Sequence, residues 1–211
     1  MLIQAQAGAI PTQSNKSGQN NIAQGWLNEV LVSELIPQYA EANQAGFMFS
    51  AFVNAVTLAA THASPLTAAT GTPILSIYNP ANSGKNIILV KTKSTTTSGT
   101  PGGPLLWNLV PNPANITATF TVPQSNIVGG GAASVAHLFN NIAVAGSTVG
   151  TAYRVLGGAA AIAVGAGIYS FEEEHKGDLI IAPGSMIALC CTAAGTTHII
   201  SAFTEWLELP I

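Results

Sequence analysis

The run DLIIAPGSMIALCCTAAGTTHIISAFTEWLEL, residues 178–209, decides the fold class. Asp178 to Ala182 is short and apolar, and Pro183-Gly184 interrupts it with turn chemistry. Ser185 to Thr192 is a second apolar run, Gly195-Thr196-Thr197 turns the chain again, and His198 to Leu209 is a long last run. Short segments bounded by turn residues, without helical period, read as strands joined by tight connections.

The same texture extends upstream. Phe47 to Val56 is aromatic and β-branched, as strands prefer. Pro73 to Tyr78 is another strand. Asn79-Pro80-Ala81-Asn82-Ser83-Gly84 has turn residues throughout, and Lys85 to Thr92 returns from it as a hairpin or a tight connection. Breakers at 101–104 and 111–113 bound a strand from Leu105 to Val110. Ile116 to Val122 alternates most clearly, with Ile116, Ala118, Phe120 and Val122 on one face and three threonines on the other. Ser134 to Val144 and Gly150 to Leu156 are weaker strands, and the Ala- and Gly-rich stretch that follows, up to Tyr169, reads as another. Strands with frequent turns and no βαβ alternation predict an all-β protein, an antiparallel jelly-roll-like β-sandwich. Three segments result: an extended N-terminal arm over 1–25, a short helix and polar connector over 26–46, and the sandwich over 47–211. The arm is rich in Gln, Asn, Ser, Ala and Gly, with one charge, Lys16. Trp26 to Ile36 reads as the helix, with Trp26, Val30 and Leu31 on one face, or else as a strand, since Val30 and Val32 are β-branched; Pro37 ends it.

Charge narrows the function. Only 7% of the 211 residues are charged, six basic and nine acidic, for a net charge of -3. Ordinary soluble domains carry roughly 25%. Phosphate binding needs clustered Lys and Arg, so a nucleic-acid surface is not expected. A hydrophobic share of 48% and a mean hydropathy of +0.40 exclude a disordered chain. So few charges predict either a neutral surface covered by Thr, Ser, Asn and Gln or, the favoured reading, a surface buried against copies of the chain or a larger lattice. The opening residues show no basic segment and no long apolar run, so no signal peptide is expected. The longest nearly apolar stretch, Val155 to Tyr169, is 15 residues and holds four glycines. That is short of the roughly 20 that cross a bilayer, so no membrane partner is expected. Cys190 and Cys191 are adjacent, would point to opposite faces of a strand, and read as free thiols of a protein made in the cytoplasm.

Catalytic and metal patterns are weak. Asn79 to Asn86 has Gly84-Lys85 but lacks the earlier Gly and the following Ser or Thr of a phosphate loop. Gly129-Gly130-Gly131 lacks the strand–turn–helix setting of a dinucleotide site. His62, His137, His175 and His198 are not at metal-ligand spacing, and no CxxC occurs. Glu172-Glu173-Glu174-His175-Lys176 is the one charge cluster, expected as a solvated loop between strands ending at Phe171 and starting at Asp178, or as a charged partner contact. Asp178 is the only Asp, and no GxSxG elbow is present. No enzyme activity, cofactor or bound metal is expected.

Three stretches together carry a resemblance: Trp26 to Tyr39 leading to Phe47, the turn Tyr78 to Asn86, and the tail formed by Gly177 to Ser185 with Trp206 to Ile211. In these the chain resembles virion structural proteins of tailed bacteriophages, most of all capsid decoration (cement) proteins. The resemblance implies a β-sandwich that forms a homotrimer on the capsid exterior and clamps the major capsid protein lattice. It implies no catalytic residue. Candidate partner contacts are Trp26, Leu27, Val30 and Leu31, with Glu172, Glu173 and Glu174. The alternative is a tail or head-fibre subunit binding host surface carbohydrate, for which Trp107 and Tyr153 are the candidate stacking residues.

Overall fold

The computed structural model describes residues 5–7, 22–24, 39–64, 71–100, 103–111, 113, 124–127, 131–140, 150–157, 169–193 and 196–211. The expected helix over Trp26 to Ile36, the strand over Ile116 to Val122 and the strand expected just before Tyr169 lie outside these residues. The chain divides into two units, Met1–Glu41 and Ala42–Ile211. In the first, β1 (Ala5–Ala7) and β2 (Ile22–Gln24) pair in parallel, Ala5 opposite Ile22. A short helix, α1 (Ala40–Gln44), stands where a polar connector was expected.

The second unit is all-β. Its strands are β3 (Met48–Thr57), β4 (Leu75–Tyr78), β5 (Lys85–Thr100), β6 (Leu105–Pro111), β7 (Gln124–Ser125), β8 (His137–Phe139), β9 (Thr151–Gly157), β10 (Tyr169–Ile181), β11 (Ser185–Cys191) and β12 (Thr196–Pro210). They form two antiparallel five-stranded sheets, in the orders β10-β5-β12-β3-β7 and β8-β4-β11-β6-β9. The first is called here the charged sheet and the second the apolar sheet.

The turns carry the chain between sheets. β4 belongs to the apolar sheet and β5 to the charged one, so the Asn79 to Gly84 turn is a tight connection rather than a hairpin. The Pro183-Gly184 turn joins β10 to β11 across the same gap. Asn79, fully buried, binds the two corners together. Its Nδ2 donates to the carbonyls of Lys85 and Ile181, both at 2.8 Å, and its backbone N–H donates to the Ser185 carbonyl at 3.0 Å. The β5–β6 and β11–β12 connections also change sheets and lie against each other, with Thr192 N–H donating to the Pro104 carbonyl at 2.9 Å. Gly103 makes room there: a Cβ would fall 2.1 Å from Thr192 Oγ1 and 3.2 Å from the Ala193 nitrogen, so the Thr192 side chain would have to shift.

Alternation places one core between the sheets. Phe49, Val53, Ile87, Leu89, Ile200 and Trp206 from the charged sheet meet Leu75, Ile77, Leu105, Trp107, Ile187 and Leu189 from the apolar sheet. Phe49 and Trp206 stack with centroids 6.3 Å apart. Burying an aliphatic side chain of this size contributes about 1.5–3 kcal/mol. A second cluster, Tyr78, Leu106, Val110, Phe139, Met186, Ala188 and Cys190, occupies the other face of the apolar sheet. The inner strands of that sheet are therefore largely buried on both sides. The adjacent cysteines divide as alternation requires, Cys191 into the inter-sheet core and Cys190 into the second cluster.

Candidate functional site

The charged residues of the described chain gather on β5, β10 and β12. The glutamates at 172–174 do not form a loop: they lie within β10, which runs unbroken from Tyr169 to Ile181. A strand is tolerated here because its neighbours supply cations on the required faces. Glu172 stands opposite Lys93 and Glu174 opposite Lys91 on β5. Glu172 pairs with Lys91 and, at 3.6 Å, with Lys93. The Lys91 hydrogen bond holds the Glu172 carboxyl below its ordinary pKa and raises that of Lys91. These contacts are exposed cross-strand pairs and add little to stability.

Glu173 points the other way, toward the gap between the sheets. Arg154 on β9, the edge strand of the apolar sheet, reaches across to it, with Nε 2.7 Å from Oε1. The same guanidinium binds Asp178 Oδ2 through Nη1 at 2.7 Å. These two carboxylates, with the Asp178 hydrogen bond foremost, raise the Arg154 pKa. A bulge makes the arrangement possible. Glu174 pairs with Lys91 but Leu179 pairs with Leu89, so residues 175–178 exceed the partner strand's count. Lys176 and Gly177 both take positive φ, 50° and 82°, a conformation that favours glycine. Alternation turns His175 inward, as it does Glu173, and it is buried; the bulge that follows leaves Asp178 at the surface beside Arg154.

His175 Nε2 lies 2.8 Å from Thr92 Oγ1, while buried Nδ1 has no hydrogen-bond partner and sits 4.0 Å from Glu173 Oε1. Burial lowers the His175 pKa, Arg154 lowers it further, and Asp178 opposes them. His198 on β12 repeats the motif, with Nε2 3.0 Å from Thr96 Oγ1, Nδ1 unpartnered and its pKa lowered by burial.

A third polar centre surrounds Glu208, a buried carboxylate on β12. Lys85 Nζ approaches Oε2 at 3.0 Å, Ser134 Oγ donates to Oε1, Val135 N–H lies 3.1 and 3.2 Å from the two oxygens, and Trp206 Nε1 donates at 3.3 Å. A carboxylate this fully hydrogen-bonded is an anchor. It ties the segment before β8 to the last strand.

Of the sequence-derived candidates, Trp26, Leu27, Val30 and Leu31 lie outside the described residues. The structure brings Glu172 and Glu174 onto the outer face of the charged sheet and sends Glu173 inward. Trp107 has 0% exposure in the inter-sheet core, so no sugar can stack on it; the apolar run of β6 buries it. Tyr153, on β9, is 52% exposed. Burial also pushes both cysteine thiols above their ordinary pKa, which keeps them protonated. Sequence reading missed Arg154, His175 and Glu208 as centres of contact. The Lys176-Gly177 pair after three glutamates was the available signal for the bulge.

Among the described residues no three His, Cys, Asp or Glu gather as a metal site, and no helix is long and apolar enough to cross a membrane. No family model, no curated protein and no solved structure matches the chain significantly.

Proposed function

We propose that this chain is a structural virion subunit that binds and stabilises a phage capsid lattice, a decoration protein working through surface contact. The observation carrying the reading is how the charges are arranged. Glu172, Glu173, Asp178, Glu208, Lys85, Lys91, Lys93 and Arg154 all pair within the chain. What faces outward includes large apolar side chains: Phe52 at 53%, Ile180 at 55%, Val155 at 61%, with Leu109, Leu209 and Ile211. Such a surface suits many weak apolar and backbone contacts multiplied by valency across a lattice. The subunit would act as a homotrimer on the capsid exterior against the major capsid protein, without nucleic acid, membrane or cofactor, after synthesis in the host cytoplasm.

Negative-stain images of virions labelled against this protein test the reading. Label over the capsid is the expected result, and virions without label overturn it. Light scattering tests the trimer: the mass should be three times the 21.5 kDa chain at low and at high salt, because apolar burial is not screened. A monomer at both overturns it.

One observation favours a second reading, a tail or head-fibre subunit that binds carbohydrate: the half-exposed Tyr153 ring on an edge strand. Without Trp107, that reading rests on Tyr153 alone. Glycan-array binding lost in Tyr153→Ala, together with virion label confined to the tail, would establish it in place of the first.

A further inference from the structure

The edge where β9 meets β10 is closed by a shared carboxylate. Glu173 Oε1 lies 2.7 Å from Arg154 Nε and 4.0 Å from His175 Nδ1. The groups facing His175 are Glu173 and Asp178 of its own strand, Arg154 of β9 and the Thr92 hydroxyl of β5. Lys91 and Lys93 alternate to the opposite face of β5 with Glu172 and Glu174. Thr204 of β12, opposite Thr92, adds no charge. We assign the neutral ring its proton on Nε2, facing Thr92 Oγ1, because an N–H at Nδ1 would be a buried donor without an acceptor.

We propose that His175 is an acid-operated release for the β9 edge: a proton taken up at Nδ1 draws Glu173 away from Arg154 and frees β9 from β10. The step moves one proton from solvent to Nδ1 and breaks no covalent bond. It sets a second cation beside the Arg154 guanidinium and creates an N–H 4.0 Å from the oxygen that guanidinium now holds, a gap that a shift of the Glu173 side chain closes. The remaining Arg154 partner, Asp178, has a side chain 55% exposed, so solvent screens that contact. Burial of the imidazole holds its pKa below the ordinary value and makes protonation costly to the closed form. The inference does not depend on the virion reading, since it concerns the coupling of two strands within one chain.

Amide hydrogen exchange on the full-length protein, read strand by strand and corrected for intrinsic rates, tests it at about pH 7.5 and about pH 5. Protection over 151–157 should fall at least about tenfold more than protection over 185–191 on acidification. His175→Gln should abolish that difference, His198→Gln should retain it, and Arg154→Gln should open β9 equally at both pH values. Parallel loss in both strands overturns the proposal, as does an undiminished β9 loss in either His175→Gln or Arg154→Gln. Should His175→Gln fail to fold, the Arg154→Gln comparison remains decisive. Nitrogen shifts of the His175 ring give a further readout: a proton on Nδ1 at about pH 7.5 overturns the mechanism.

Discussion

The apolar sheet has one charged residue, Arg154 on its edge strand, whereas β5, β10 and β12 of the charged sheet carry ten of the chain's fifteen. The inner strands of the apolar sheet, β4, β11 and most of β6, are buried on both faces. The charged sheet buries one face and sets Lys93, Phe52 and Ile180 outward on the other. Antiparallel sheets commonly keep one face wet, so the charged sheet is the ordinary one and the apolar sheet the departure. With few charges in the sequence, their position determines which layer faces water. The apolar sheet can dispense with them because none of its inner-strand side chains needs a hydrated face.

The sharpest way to break this comparison is to place a charge on the doubly buried sheet. Ala188 sits fully buried on β11 between Ser76 and Asn108 of the neighbouring strands. Ala188→Asp should cost more than about 4 kcal/mol and leave little folded protein in soluble expression. Near-normal denaturant unfolding of that variant would mean the face is accessible. Next in size is Glu208→Gln, which strips the buried carboxylate from Lys85, Ser134 and Val135. Because Lys85 is partly exposed, a loss of about 2–3 kcal/mol is expected in urea unfolding, more than for any outer-face substitution on the same sheet.

A smaller effect comes from pH. His175 and His198 have folded pKa values below the ordinary 6.5, so below that pH the unfolded chain binds more protons than the native one. Stability should therefore be full above pH 6.5 and fall as the pH drops below it, until the folded pKa values are passed. The urea midpoint followed from neutral to mildly acidic pH should show this slope, and His198→Gln should reduce it. An unchanged slope would remove His198 from the account. The smallest effect is expected from Lys93→Gln on the outer face of the charged sheet, where the partner is an exposed carboxylate. No change in midpoint beyond replicate scatter should appear, with or without added salt. A clear loss would show that this face is more closed than its exposure indicates.

Much of the sheet content was legible because alternation and turn residues are local signals. Met48–Thr57, Leu75–Tyr78, Leu105–Pro111, Ser185–Cys191 and Thr196–Pro210 are all strands near the positions their sequences predict. The double burial of β4, β6 and β11 was not read from the sequence, although their apolar runs fit it, since a strand with a wet face alternates. The polar centres were harder to read. Glu172 to Glu174 look like a solvated loop when charge density is considered alone. They form a strand because Lys91, Lys93 and Arg154, all distant in sequence, arrive on the required sides.

The sequence by itself determined the class: too little helical period for an α/β fold, and turns placed to make many strands. Only the tertiary structure decided that Asn79 to Gly84 changes sheets, that Trp107 is core while Tyr153 is surface, and that Arg154 shares a carboxylate with His175. The division has a physical cause. Backbone conformation and side-chain alternation are set by neighbours within a few residues, whereas burial and ion pairing depend on which strands are brought side by side, here Arg154 and Glu173 from different sheets.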